Sequence, residues 1–166
     1  VYALDLRSGI SRWKYNTSRR VTSSPAVHKD LLYVGSADGN LYAINASSGW
    51  PIWRFRTRSY VLSKPAVSDS LVYVSSADGH LYAVDALSGR ERWKYDTGKP
   101  IASSPFLADD VVYVGSNSGT IHALNAERGG ELWQYATGGP VPSSPTVAGG
   151  TLYVGSTDHY VYALPV

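Results

Sequence analysis

Apolar and polar residues alternate along this chain in short runs, and the runs return in register every 40 residues. The second full unit shows the pattern. Leu71 to Ser76 and Leu81 to Val84 are rich in valine, leucine and tyrosine, and both read as strands. Arg92 to Asp96 reads as another, with Trp93 and Tyr95 on one face and Lys94 on the other. Pro65-Ala66-Val67 opens the unit with proline at a strand's first residue, where its missing N–H does no harm. Ala77-Asp78-Gly79-His80 carries the Asp-Gly pair of a tight hairpin, Ser88-Gly89 makes a second turn, and Thr97-Gly98-Lys99-Pro100 leads into the next unit. Each unit therefore predicts four short antiparallel strands. No segment shows the three-to-four-residue apolar spacing of a helix, which sets aside a helical solenoid of similar period.

The repeat itself has no gap. Trp13, Trp53, Trp93 and Trp133 fall 40 apart, as do Pro25, Pro65, Pro105 and Pro145, and Tyr33, Tyr73, Tyr113 and Tyr153. The chain divides into units 1–40, 41–80, 81–120 and 121–160 with a partial unit at 161–166, all in one domain. A lone four-stranded sheet of this size cannot cover both its faces, and stacking sheets radially solves the problem. The expected fold is an all-β propeller of four-stranded antiparallel blades, either four-bladed or half of an eight-bladed ring. Val1 to Asp5 and Val161 to Leu164 both read as third-type strands, which leaves one of them redundant. Three closures are open: a compact four-bladed ring, a head-to-tail homodimer of eight blades, or a longer parent propeller. The absence of methionine, even at position 1, leads us to expect a processed or excised segment.

Charge and composition narrow the chemistry. The net charge of +2 hides an asymmetry: residues 1 to 64 hold ten Lys/Arg and three acids, a balance of +7, whereas residues 65 to 166 hold five and ten, a balance of −5. Opposite halves of this kind suit assembly better than nucleic-acid binding, which is not expected. No apolar run is long enough to span a membrane as a helix. With no cysteine, disulfides, thiolate catalysis and cysteine-ligated metals are excluded.

The most specific spacing is Ala3-x-Asp5-x-x-Ser8-Gly9-x-x-x-Trp13. It recurs around Ala43, Asn45, Gly49 and Trp53, around Ala83, Asp85, Gly89 and Trp93, and around Ala123, Asn125, Gly129 and Trp133. This resembles the tryptophan-docking motif of the PQQ-like (pyrroloquinoline-quinone-type) β-propeller repeat family, and the Ser-Ser-Pro and Val-Tyr-Val-Gly-Ser stretches are also similar to it. The resemblance implies that each tryptophan packs between blades, against the next blade's alanine and turn glycine. It also implies three kinds of relative: quinoprotein dehydrogenases with PQQ and calcium, the cofactor-free lipoprotein of the outer-membrane assembly machinery, and sensor regions of bacterial serine/threonine kinases. Fold alone does not choose among them.

Candidate catalytic residues are hard to find. Asp38, Asp78 and Asp158 sit in hairpin turns and Asp5 and Asp85 in the docking motif, where Asn45, Asn125 and Ser118 take equivalent places as turn formers. The four histidines occupy different repeat positions, and His122 stands where Tyr42 and Tyr82 stand, as a packing aromatic. No nucleophile elbow or phosphate-binding glycine loop is present. The expectation is a non-catalytic binding or sensor module without a cofactor, extracytoplasmic or in the cell envelope of a bacterium. A fragment of a PQQ- and calcium-dependent dehydrogenase, or a structural or engineered repeat piece, are the alternatives. Departures from the repeat mark where a ligand could sit. Arg19-Arg20 and Arg58-Ser59-Tyr60 replace glycine-containing crossovers, and Lys64 replaces the serine of Ser24, Ser104 and Ser144. Arg19, Arg20, Arg58, Tyr60 and Lys64, with those rim serines, are the candidates for a small anionic ligand or acidic protein partner.

Overall fold

A computed structural model describes residues Val1–Val166 and contains strands only. Three complete antiparallel sheets follow one another. The first joins β3 (Ala26–His28), β4 (Leu31–Gly35), β5 (Asn40–Asn45) and β6 (Pro51–Arg56). The second joins β7 (Ala66–Val67), β8 (Leu71–Ser75), β9 (His80–Asp85) and β10 (Glu91–Asp96), and the third β11 (Phe106–Ala108), β12 (Val111–Gly115), β13 (Thr120–Asn125) and β14 (Glu131–Ala136). Partial sheets flank them. β1 (Tyr2–Leu4) pairs with β2 (Ser11–Lys14) at one end, and β15 (Thr146–Ala148), β16 (Thr151–Gly155) and β17 (Val161–Pro165) form three strands at the other. Four repeats thus spread over five sheets, because each 40-residue unit holds the last two strands of one blade and the first two of the next. The two end sheets do not pair with each other.

Within each blade the period-two pattern sets the register. Tyr73 opposes Ala83 and Ala66, and Trp93 opposes Ala83, with a bulge between Glu91 and Trp93. The hairpin glycine Gly79 has φ +92°, the conformation that the Asp-Gly turn requires.

The core lies between blades rather than within them. Tyr33, Leu41 and Ala43 of the first full sheet meet Val72, Val74 and Val84 of the second, all of them buried. Tyr73, Leu81 and Ala83 repeat the arrangement against Val112, Val114 and Leu124. Trp13, Trp53 and Trp93 close such interfaces from the fourth strands of their blades. The indole N–H groups of Trp13, Trp53 and Trp93 donate to the carbonyls of Ala46, Ala86 and Ala126, each at 3.0 Å. Their rings lie over Gly49, Gly89 and Gly129, where an added Cβ would come within 2.7, 2.6 and 2.5 Å of indole carbons. Glycine there meets two demands at once, positive φ and the close approach of the ring. The accepting alanine is not the motif's own. Ala43, Ala83 and Ala123 instead sit cross-strand from Trp53, Trp93 and Trp133 within one blade.

Candidate functional site

The crossovers between blades are held through their backbone carbonyls, in bonds that do not engage the side chains of Arg19, Arg20, Ser59 and Tyr60. Thr17 Oγ1 donates to the carbonyl of Arg19 at 2.6 Å, and Ala37 N–H donates to that of Arg20 at 3.0 Å. One blade on, Thr57 Oγ1 donates to the carbonyl of Ser59 at 2.6 Å, and Ala77 N–H to that of Tyr60 at 2.9 Å. Both crossovers are thereby pinned against the hairpin between the second and third strands of the following blade, and they share one surface.

On that surface the sequence candidates Arg19, Arg20, Arg58 and Tyr60 come together. A cleft of about 400 Å³ is lined by Arg19, Asp38, Arg56, Arg58 and Tyr60 among others, and an adjoining one of about 250 Å³ by Arg19, Arg20, Ala37 and Tyr60. Arg56, at the end of β6, escaped the sequence reading. It breaks the repeat as plainly as the crossover arginines do, since Asn16, Asp96 and Ala136 hold the equivalent positions, but it lies inside a strand. None of these four arginines is ion-paired; the guanidinium pairs in the chain are Arg12–Asp5 at 2.6 Å and Arg92–Asp85 at 3.9 Å. Tyr60 is 43% exposed beside them.

The one carboxylate in the cleft is already occupied. Asp38 accepts from Ser18 N–H at 3.1 Å, Asn40 N–H at 3.0 Å, Asn40 Nδ2 at 2.9 Å and the Tyr42 hydroxyl at 2.7 Å. Burial opposes its charge, but those donors outweigh burial and hold its pKa below the ordinary aspartate value. Burial and the Asp38 hydrogen bond push Tyr42 up to about 12. Asp78 repeats the device with Arg58 N–H, His80 N–H and the Tyr82 hydroxyl, and its pKa is likewise lowered. A depressed native pKa contributes stability that is present above the unfolded value, near 3.8, and is lost as the pH falls through the native one. Acid titration followed by thermal melting should therefore show stability falling below about pH 4. Asp78→Asn should be less stable than the parent at pH 7 and lose less on acidification.

The third blade departs from this device. Ser118 replaces the acid and His122 the tyrosine. His122 is 4% exposed and packs edge-on against Tyr95, with ring centroids 5.3 Å apart. Its Nδ1 lies 3.3 Å from the Tyr95 hydroxyl and 3.4 Å from Glu131, to which Tyr95 also donates. Burial pushes the imidazole pKa down. The group serves as a packing aromatic and lines none of the clefts described above.

The remaining candidates are placed elsewhere. Lys64 lines neither arginine cleft; its N–H donates to Ser104 Oγ at 2.9 Å, and Ser104 N–H donates to Ser144 Oγ at 2.9 Å. The rim serines therefore tie consecutive blades together through their hydroxyls. The carbonyl of Ser24 accepts from Ser23 Oγ at 3.2 Å. Trp13, Trp53 and Trp93 lie between sheets as described, whereas Trp133 and Gly9 have no counterpart in the next and preceding sheets respectively.

Calcium is held by about six to eight oxygen ligands, several of them usually carboxylates; no group of three or more His, Asp or Glu side chains converges in this chain, so its acids do not build a carboxylate-rich calcium centre.

Comparison with known proteins bears on the fold. A family model described as outer membrane protein assembly factor BamB matches residues 1–107 and 98–165. BamB from Moraxella catarrhalis superposes with a TM-score of 0.86 at 24% identity, covering 93% of this chain and 53% of that one. The computationally designed Ika4 protein gives 0.82 at 18% identity, over 91% and 94% of the two chains. A quinohemoprotein alcohol dehydrogenase from Pseudomonas putida HK5 gives 0.74 at 22% identity, over 87% and 29%. This chain thus spans about half the length of the Moraxella protein. No curated protein matches its sequence.

Proposed function

The chain belongs to the PQQ-like β-propeller repeat family, and from that premise we propose that it is a non-catalytic binding module that recognises anionic groups through its arginine-lined cleft. The observation that carries this reading is the cluster of Arg19, Arg20, Arg56 and Arg58, none ion-paired, around the exposed ring of Tyr60. Arginine presents a planar fork of donors that suits carboxylates and phosphates, and a tyrosine face adds a stacking surface. Four such groups on one rigid surface have no evident use in folding. Their mutual repulsion is a standing cost that an anion would relieve.

The ligand is a small anion or an acidic segment of a protein. The module is of the assembly-factor or sensor kind, and an extracytoplasmic or cell-envelope location in a bacterium goes with it. Likeness to BamB supports this reading over the dehydrogenase one, as does the lack of a converging acid set for calcium. Added PQQ and calcium should therefore produce no quinone absorbance on the protein.

Inorganic phosphate and a glutamate-rich peptide serve as probes in a thermal-shift experiment. The parent chain should be stabilised by at least one of them, and the effect should fall as salt rises. Replacing Arg19, Arg20 and Arg58 together with serine should abolish the shift while leaving the ligand-free melting temperature within a few degrees, since exposed substitutions change stability by about 0.5 kcal/mol or less. A parent that neither probe shifts, or a triple variant that responds as the parent does, ends the proposal.

A further inference from the structure

The strand count is uneven. First positions in the blades are filled four times (β3, β7, β11, β15), second positions four times and fourth positions four times, but third positions five times (β1, β5, β9, β13, β17). Third strands thus outnumber each of the other positions by one, and β17 is the one that differs. In the other four, the N–H of Asp5, Asn45, Asp85 or Asn125 donates at 2.8 Å to Ile10, Trp50, Arg90 or Gly130 and closes the hairpin into the fourth strand. Pro165 holds that position in β17 and has no N–H to give. β17 can lie beside β16, but it cannot make the hairpin bond that leads into a fourth strand.

The two ends of the arc also lack what the other supplies. Tyr42 and Tyr82 are 4% exposed because Tyr15 and Phe55 of the preceding sheets cover them, whereas the equivalent Tyr2 is 72% exposed, with Leu4 at 57% beside it. Nothing lies within 4 Å of a Cβ built on Gly9, where the other docking glycines meet an indole. Trp133 is the one motif tryptophan whose indole N–H finds no carbonyl on a following blade. The arc's first half is also basic and its second half acidic. The chain's own ends do not satisfy each other, since β1–β2 and β15–β17 form separate sheets. The opposite end of a second copy carries what each end lacks.

We propose that a second copy of this chain supplies it by strand exchange at both ends: the partner's β1–β2 hairpin displaces β17 from β16, and Trp133 docks over the partner's Gly9. β17 is then a placeholder that covers the edge of β16 until the partner arrives. In the hybrid blade Tyr2 takes the place of Tyr162 under Tyr135, a contact already present at 5.6 Å within the chain. The partner's Trp13 keeps its existing bond to its own Ala46, so nothing else rearranges. Two identical junctions close the assembly.

Light scattering on the 166-residue chain tests this. The expected mass is twice 17.9 kDa at micromolar concentrations. Gly9→Asn should return it to one chain, because asparagine tolerates positive φ and its Cβ meets nothing within a single chain, yet would collide with a docked indole. The melting temperature of that variant under dilute conditions should match the parent's, which separates lost assembly from lost folding. Truncation after residue 160 removes the placeholder and should tighten association at least tenfold. A parent that stays one chain at 100 micromolar in about 0.1 M salt, a dimer indifferent to Gly9→Asn, or an open series of larger oligomers would each overturn the proposal. The phosphate and peptide thermal shifts are read on the same samples, so the arginine cleft can fail or succeed independently.

Discussion

Alanine at position 93 is expected to lower stability by about 3–5 kcal/mol, the usual range for truncating a well-packed tryptophan. For a chain of this length that corresponds to a fall in Tm of roughly 6–20 °C. Three losses add up. The ring no longer lies over Gly129, the N–H no longer reaches the carbonyl of Ala126 at 3.0 Å, and the tilted contact with Tyr73, at 5.8 Å between centroids, disappears. The Tyr73 hydroxyl donates to the same Ala126 carbonyl at 3.1 Å, so one blade's turn is held by two aromatic donors from its neighbour. Trp50 gives the control. It is 73% exposed and stands outside the repeat, and its replacement by alanine should move stability by no more than about 0.5 kcal/mol. Thermal melts of the two variants beside the parent decide the matter. Equal effects would mean that the indoles do not hold the blades together.

The fold was legible because a 40-residue period without gaps leaves few ways to arrange alternating strands, and the Asp-Gly turns fix where each strand ends. What the motif could not convey was its own acceptor. Trp13, Trp53 and Trp93 bond to main-chain carbonyls at Ala46, Ala86 and Ala126, and a carbonyl is present whatever the side chain, so no residue type marks it. The same blindness affected the rim. Ser24, Ser104 and Ser144 stood out as a polar ring open to a ligand, yet Ser104 and Ser144 spend their hydroxyls on the N–H groups of the preceding blade. A lysine can replace serine at 64 because the backbone N–H, common to both residues, is what donates there. Departures from the repeat did mark residues that share one surface. Arg19, Arg20 and Arg58 do meet around Tyr60, and Arg56 joins them from a strand position that attention to crossovers alone passes over.

A large penalty for a single added methyl group is expected at Gly115, whose φ is ordinary and whose need for glycine is purely steric. A Cβ there would lie 2.3 Å from Cγ1 and 2.8 Å from the carbonyl oxygen of Val141, and the second of these is backbone that cannot rotate away. Gly115→Ala should therefore cost about 1–3 kcal/mol or more, the range for overpacking a tight core. The second blade shows how the same site can be relieved. Ser75 stands at the equivalent position and Ile101 replaces valine 26 residues on, so a Cβ is accommodated, at the expense of a buried hydroxyl with no hydrogen-bond partner. Two outcomes follow from one geometry. Val141→Ala should recover part of the loss in Gly115→Ala, the part due to Cγ1, and leave the part due to the Val141 Cβ and carbonyl oxygen, each at 2.8 Å. Ser75→Ala should stabilise the chain by about 1 kcal/mol, since it removes an unpaired polar group and keeps the methyl-sized volume. Denaturant melts of the four combinations at 115 and 141 give the coupling directly. A Gly115→Ala variant as stable as the parent would show that consecutive blades sit further apart than the Val141 contact requires.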